Sequence, residues 1–301
     1  MNFDDLPSVL GALTRTSGRS DAVGFIERNR AIDELEAHLV ELTRLNHDEA
    51  ADQRTAEIAA RVVTLRDRLQ HINDSMVQRL RERIADATIS RRELRTTFQE
   101  YVSRVRPDER DDVKYDDLDV LIAAILSTDQ AADDGTMELD PEMVPYQPTP
   151  ARLILTLIQK IRPTEHDVFV DVGSGLGTVP TLVALLTGAR AVGIEWHPSH
   201  YAHAQRSVRD LNLSSVSFIQ QDARDADFSA GTIFYMFTPF KGTMLRTVLR
   251  RLDSEGRRRA IRLCVHGPLL REAIHEFSSF SIENARGRDD FIAVFQSSPA
   301  A

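Results

Sequence analysis

The chain has 301 residues, 42% of them hydrophobic and 28% charged, with a net charge of −9, and so reads as a folded, soluble protein with room for two domains of ordinary size. One cysteine, Cys264, excludes a disulfide framework and a thiolate zinc cluster, and its apolar setting "IRLCVHG" reads as a buried strand thiol. No window approaches the roughly eighteen apolar residues of a membrane span, and nothing resembles a leader; the expected location is cytoplasmic, with no membrane contact.

Charge is unevenly divided. Residues 1–140 carry 19 Lys/Arg against 30 Asp/Glu, residues 141–301 carry 18 against 16, and the acidic half opposes nonspecific nucleic-acid binding through that half. No proline falls between Pro7 and Pro107 and no glycine between Gly24 and Gly135, so the first 127 residues are expected to be an all-α domain. Ile32, Leu35, Leu39 and Leu42 form one helical stripe, and Ile58, Val62, Leu65, Leu69, Ile72, Met76 and Leu80 another. The stripes suit a hairpin within one chain or a coiled coil that makes a homodimer through these helices. Ser90 with Glu93 forms a capping box for a third helix bearing Leu94, Phe98, Tyr101 and Val105; a fourth carries Leu118, Leu121, Ile122 and Ile125. Residues 128–145, acidic and aperiodic, read as a linker.

From residue 146 to 301 the pattern changes. Thr149, as N-cap, and Pro150 open the helix "ARLILTLIQKI"; after it, short β-branched runs ("DVFVDV", "AVGIE", "VSFIQ", "TIFYMF", "IRLCVHG") are interspersed with helical ones, including "LLREAIHEF". This predicts an α/β domain with an open, mainly parallel, Rossmann-like sheet. "FSIENARGRDDFIAVF" reads as two strands around a polar loop, giving an antiparallel edge.

The candidate site begins at "DVGSGLG". Asp171 precedes Gly173, Ser174, Gly175 and Gly177, and a carboxylate there opposes a pyrophosphate while suiting the ammonium of S-adenosylmethionine. Thr178 also breaks the G-x-G-x-x-G spacing of dinucleotide sites. Glu195 ends the next strand, placed to accept ribose hydroxyls, and Trp196 can flank the adenine. Asp222 and Ala223 in "QQDA" can meet the adenine edge. At the methyl-accepting end stand Thr238 and Phe240 in "TPF", with His266 as candidate base. His197, His200 and His203 read as solvated helix residues, and no metal site is expected. Arg246, Arg250, Arg251, Arg257, Arg258, Arg259 and Arg262 can meet RNA phosphates, an acidic protein surface or the acidic N-terminal domain.

"DVGSGLG", "GIEW" and "QDA" resemble the class I, seven-stranded S-adenosylmethionine-dependent methyltransferases. "YQPT" before "ARLILTLIQKIRPTEHDVFVDVGSGLGT" is similar to the non-SET histone-lysine methyltransferase family, where a Tyr-x-x-Thr segment contacts the cofactor. The resemblance implies that Tyr146 and Thr149 help to cover it. At the fourth strand's end, where that family has two asparagines, this chain has "IFYMFTPF". The expected activity is methyl transfer to a protein side chain or small molecule; the alternative is an idle cofactor-binding module acting through its helical half.

Overall fold

The computed structural model describes residues 21–45, 53–102, 114–130, 140–267, 277–283 and 292–299. Val105, most of the expected linker, nearly all of "LLREAIHEF" and the loop between the last two expected strands lie outside them. The chain divides into two compact units, Met1–Arg83 with Thr96–Val105, and Ile84–Arg95 with Arg106–Ala301.

In the first unit, helices α1 (Ala22–Leu45) and α2 (Gln53–Ala85) carry the two apolar stripes. Ala31, Ile32, Leu35, Val62 and Leu69 form the core, with Leu39, Ile58 and Leu65 against it. Phe25 meets Tyr101 of α3 (Arg91–Val102) edge-on, ring centroids 5.8 Å apart. The expected stripe drifts in α2: Ile72, Met76 and Leu80 are half-buried, whereas Asn73 and Val77 are buried. The 3.6-residue turn carries the buried line from Leu69 to Asn73, and a polar partner is needed there. Arg28, fully buried, donates from Nε to Asn73 Oδ1 at 2.6 Å, and Asn73 donates to Asn29 Oδ1 at 2.8 Å.

The second unit holds the sheet. In chain order it contains α4 (Asp117–Leu126), α5 (Ala151–Ile161), β1 (Val168–Val172), α6 (Thr178–Thr187), β2 (Arg190–Glu195), α7 (Pro198–Asp210), β3 (Val216–Gln220), β4 (Ile233–Phe237), α8 (Gly242–Arg258), β5 (Arg262–His266), β6 (Phe280–Ile282) and β7 (Ile292–Ser297). The strand order is β3-β2-β1-β4-β5-β7-β6; β1 to β5 are parallel to their neighbours, and β7 runs antiparallel between β5 and β6. Every residue of β1 is buried, as a central parallel strand with both faces covered requires. On one face Val248, Leu249 and Leu252 of α8 join Phe234, Met236, Leu263 and Val265 in a single core. Seven parallel-dominated strands with a reversed penultimate strand are the sheet that the methyltransferase resemblance implies.

Several helix ends are closed by side chains distant in sequence. The Glu93 N–H donates to Ser90 Oγ, as the expected cap requires, and α3 then lends Arg95, which donates to the Leu186 carbonyl near the C-terminus of α6. Helix α5 begins one residue later than expected, with Pro150 and not Thr149 as N-cap. Proline offers no side-chain acceptor, and Asp119 Oδ1 accepts the Ala151 N–H instead, at 2.7 Å.

Five arginines of the stretch have partners within the second unit. Arg251 donates to the carbonyls of Arg224 and Ala226, Arg259 to those of Phe228 and Gly231, and Arg262 to that of Ile161. Arg257 pairs with Asp253 and Arg258 with Glu255. Arg251 and Arg259 tie down the β3–β4 connection within their own unit.

Replacing Asn73 by Ala removes a short acceptor from a buried guanidinium, which should destabilise the first unit by about 1.5–3 kcal/mol. Urea unfolding followed by circular dichroism checks this. A change within experimental error would mean that Asn73 only fills space.

Candidate functional site

Asp171 lies on the central strand β1, paired with Gly193 of β2 and Tyr235 of β4. Its side chain is buried at 3% exposure. Burial, and then the nearby Glu195 carboxylate, push its carboxyl well above the usual range, and among the described residues neither a hydrogen-bond donor nor a cation offsets them.

The chain then turns through Gly173, Ser174 and Gly175. The N–H groups of Gly173 and Ser174 donate to the Ile194 carbonyl, and Gly175 donates to Glu195 Oε2 at 2.7 Å. Gly175 has φ +53°, and a Cβ there would lie 2.1 Å from the Tyr146 ring, so the turn and the ring meet only over glycine. Gly177 is different. It precedes α6 with φ +82°, and its missing Cβ would strike the Phe218 ring and the Ala204 methyl. It packs the turn onto β3 and α7 and does not line the cavity, contrary to the cofactor contact expected from the motif.

Glu195, 9% exposed, ends β2. Its Oε1 accepts the His197 N–H and its Oε2 the Gly175 N–H, both at 2.7 Å. Burial raises its carboxyl and these two donors pull it back. The three histidines beyond it are not solvated as expected. His197 and His203 are buried, and His200 packs on Tyr146 with ring centroids 5.0 Å apart while its Nδ1 stands 4.0 Å from Glu195 Oε1. His203 Nε2 lies 3.3 Å from the Leu126 carbonyl, beside α4 and away from the cavity. Helix α7 buries His203 against its neighbours, whereas His197, which precedes the helix, and His200 line the cavity. No group of three or more His, Cys, Asp or Glu side chains suited to a metal occurs among the described residues.

Asp222 follows β3 and is held by Arg224, whose Nε and terminal nitrogen reach both carboxylate oxygens at 2.7–3.1 Å. That pair keeps its carboxyl below the usual range. At the end of β4, Thr238 adopts φ +43° and donates its hydroxyl to the His266 carbonyl at 3.0 Å, joining the ends of β4 and β5. Phe237 meets the His266 ring edge-on at 4.4 Å.

All of these ends open on one cavity of about 430 Å³. Tyr146, Thr149, Asp171, Gly173, Ser174, Gly175, Glu195, Trp196, Asp222, Ala223, Thr238, Phe240 and His266 line it. Sequence reasoning missed Met143, His200, Tyr235 and Phe237. Tyr235 is buried, with its hydroxyl 3.5 Å from Thr149 Oγ1. Its pairing with Asp171 gives no signal in "IFYMF", because it depends on which strand neighbours β1. Ser174 Oγ, also buried, finds no hydrogen-bond partner among the described residues.

Because Asp171 has a raised folded-state pKa, its contribution to stability is fully present below the unfolded value of about 3.9 and is lost as pH rises through the folded value. Asp171→Asn should therefore leave the ligand-free protein near wild-type stability at about pH 4 and more stable than wild type as pH rises to about 8. Melting temperatures of both proteins across that range test this. A constant difference would mean that burial does not strain the carboxyl.

The family model of the histone methylation protein DOT1 matches residues 144–231. No curated protein matches the sequence. Solved structures similar to the chain include an RNA methyltransferase from Salinibacter ruber in complex with S-adenosyl-L-homocysteine, with 22% identity, 52% of this chain, 95% of that one and a TM-score of 0.42. Another is precorrin-6y C5,15-methyltransferase from Geobacter metallireducens, with 15% identity, 56% of this chain, 97% of that one and a TM-score of 0.41. No helix of the described residues is long and apolar enough to cross a membrane. The chain carries a class I methyltransferase fold, and the segment from the approach to α5 through the approach to β4 resembles the DOT1 family.

Proposed function

We propose that the protein is an S-adenosylmethionine-dependent methyltransferase. The observation that carries this reading is the buried, uncompensated Asp171 carboxyl facing the cavity beside Glu195. An anion such as pyrophosphate would worsen that arrangement, whereas an ammonium relieves it. The residues fit the cofactor: Asp171 receives the ammonium, the unpartnered Ser174 hydroxyl offers a donor to the carboxylate, and Glu195 accepts ribose hydroxyls with its remaining lone pairs. Trp196 flanks the adenine, the Ala223 N–H meets its ring edge, and Tyr146 and Thr149 cover the site. Asp222, committed to Arg224, orients its loop and presents only its remaining lone pairs to the adenine amino group.

When bound, the cofactor supplies a methyl group activated on a sulfonium. The protein aligns the acceptor and excludes water. Phe237 and Phe240 wall the acceptor end, Thr238 fixes the ends of β4 and β5, and His266 takes a proton from an acceptor that arrives protonated. The DOT1 match ends at residue 231, before β4 begins at Ile233, so it supports the cofactor half and is silent on the acceptor.

Calorimetry with S-adenosylhomocysteine, and with NAD as control, tests the reading. The former should bind and NAD should not, and Glu195→Ala should weaken binding roughly 10- to 150-fold, from the loss of hydrogen bonds to a charged acceptor. Binding of NAD in its place would overturn the assignment.

A further inference from the structure

The segment 140–149 is stitched across the cavity as a strap. Met143 makes an antiparallel bridge with Phe240, and the Val144 N–H donates to the Pro239 carbonyl at 3.0 Å. Farther along, Tyr146 lies over Gly175, the Tyr115 hydroxyl donates to the Pro148 carbonyl, and Thr149 approaches Tyr235. Met143, Val144, Pro145, Tyr146, Gln147 and Thr149 make one wall of the cavity.

Glu142 anchors the near end. Its Oε1 accepts the Thr243 N–H at 2.8 Å, and its Oε2 accepts the Met244 N–H at 2.7 Å and the Thr243 hydroxyl at 2.8 Å. Its carbonyl accepts the Lys241 N–H. The carboxylate fits because residue 242 is glycine with φ +60°; a Cβ there would fall 2.1 Å from Oε1. The helix supplies no cap of its own, since its N-cap residue is Lys241, which has no acceptor. Parting the strap therefore strips the first turn of α8 of its cap, a cost that a locally capped helix would not impose. The same donors hold the Glu142 carboxyl below the usual range.

We propose that Glu142 is a latch whose hold on α8 sets how long the strap stays closed over bound cofactor, making it a positioning residue for Tyr146 and Thr149. The proposal rests on the cofactor reading above. It also couples the two ends of the cavity, because the bridge that Glu142 secures contains Pro239 and Phe240 at the acceptor end.

The test is the rate of S-adenosylhomocysteine release, measured by displacement in a stopped-flow instrument, for the full chain, Glu142→Ala, and the double variant Glu142→Ala with Lys241→Asp. The aspartate lets α8 cap itself without holding the strap. Glu142→Ala should speed release about tenfold, the equivalent of losing one hydrogen bond to a charged group. The double variant should recover the melting temperature and still release fast. If Glu142→Ala does not fold, the double variant carries the comparison alone. Wild-type release rates in either variant would overturn the latch while leaving the cofactor reading intact. Failure of the wild-type chain to bind the probe in calorimetry would overturn both.

Discussion

Three carboxyl groups line one cavity, and two of them are compensated, since Asp222 is held by Arg224. Glu195 has a backbone N–H on each oxygen, whereas Asp171, on the central strand, has burial and a neighbouring anion against it. A carboxyl placed so deep either holds a proton or waits for a cation. Sheet topology fixes this choice: Asp171 is paired on both sides by β2 and β4, so it cannot turn toward solvent without breaking the centre of the sheet. The surrounding loops are arranged around that constraint.

Remote capping is how those loops are held. Helices α5, α6, α7 and α8 make no side-chain hydrogen bond from their own N-cap residues. Asp119 serves α5 and Glu142 serves α8, and Arg95 serves the far end of α6. Each such bond joins segments far apart in sequence, and at α8 it ties the helix end to the segment that walls the cavity. A local cap would stabilise the helix without fixing where the strap lies.

Much of this was legible in the residues. The helical stripes, the strand runs, the reversed end of the sheet and the convergence of Asp171, Glu195, Trp196, Asp222 and His266 on one cavity follow from periodicity and from the positions of strand ends. What was not legible depends on pairing across the fold. Gly177 looks like a ligand-facing glycine because the motif does not reveal that Phe218 lies behind it. Thr149 looks like a cap because the sequence does not show Asp119 reaching Ala151. His203 looks solvated because only the position of α7 on the sheet says which helix face is covered, and His197, just before that helix, because the sequence does not show that it lines the cavity. Glu142 sat in a stretch read as linker, since three contacts to a helix 101 residues away leave no local pattern.

The central claim is that Asp171 is held protonated or strained until a cation docks beside it. Calorimetry of S-adenosylhomocysteine binding in buffers of differing ionisation enthalpy, at several values from roughly pH 5 to pH 8, measures the protons exchanged on binding. The account predicts a proton release, as the docked ammonium lowers the Asp171 pKa, that is missing from Asp171→Asn. Equal proton counts in the two proteins across that range would contradict it.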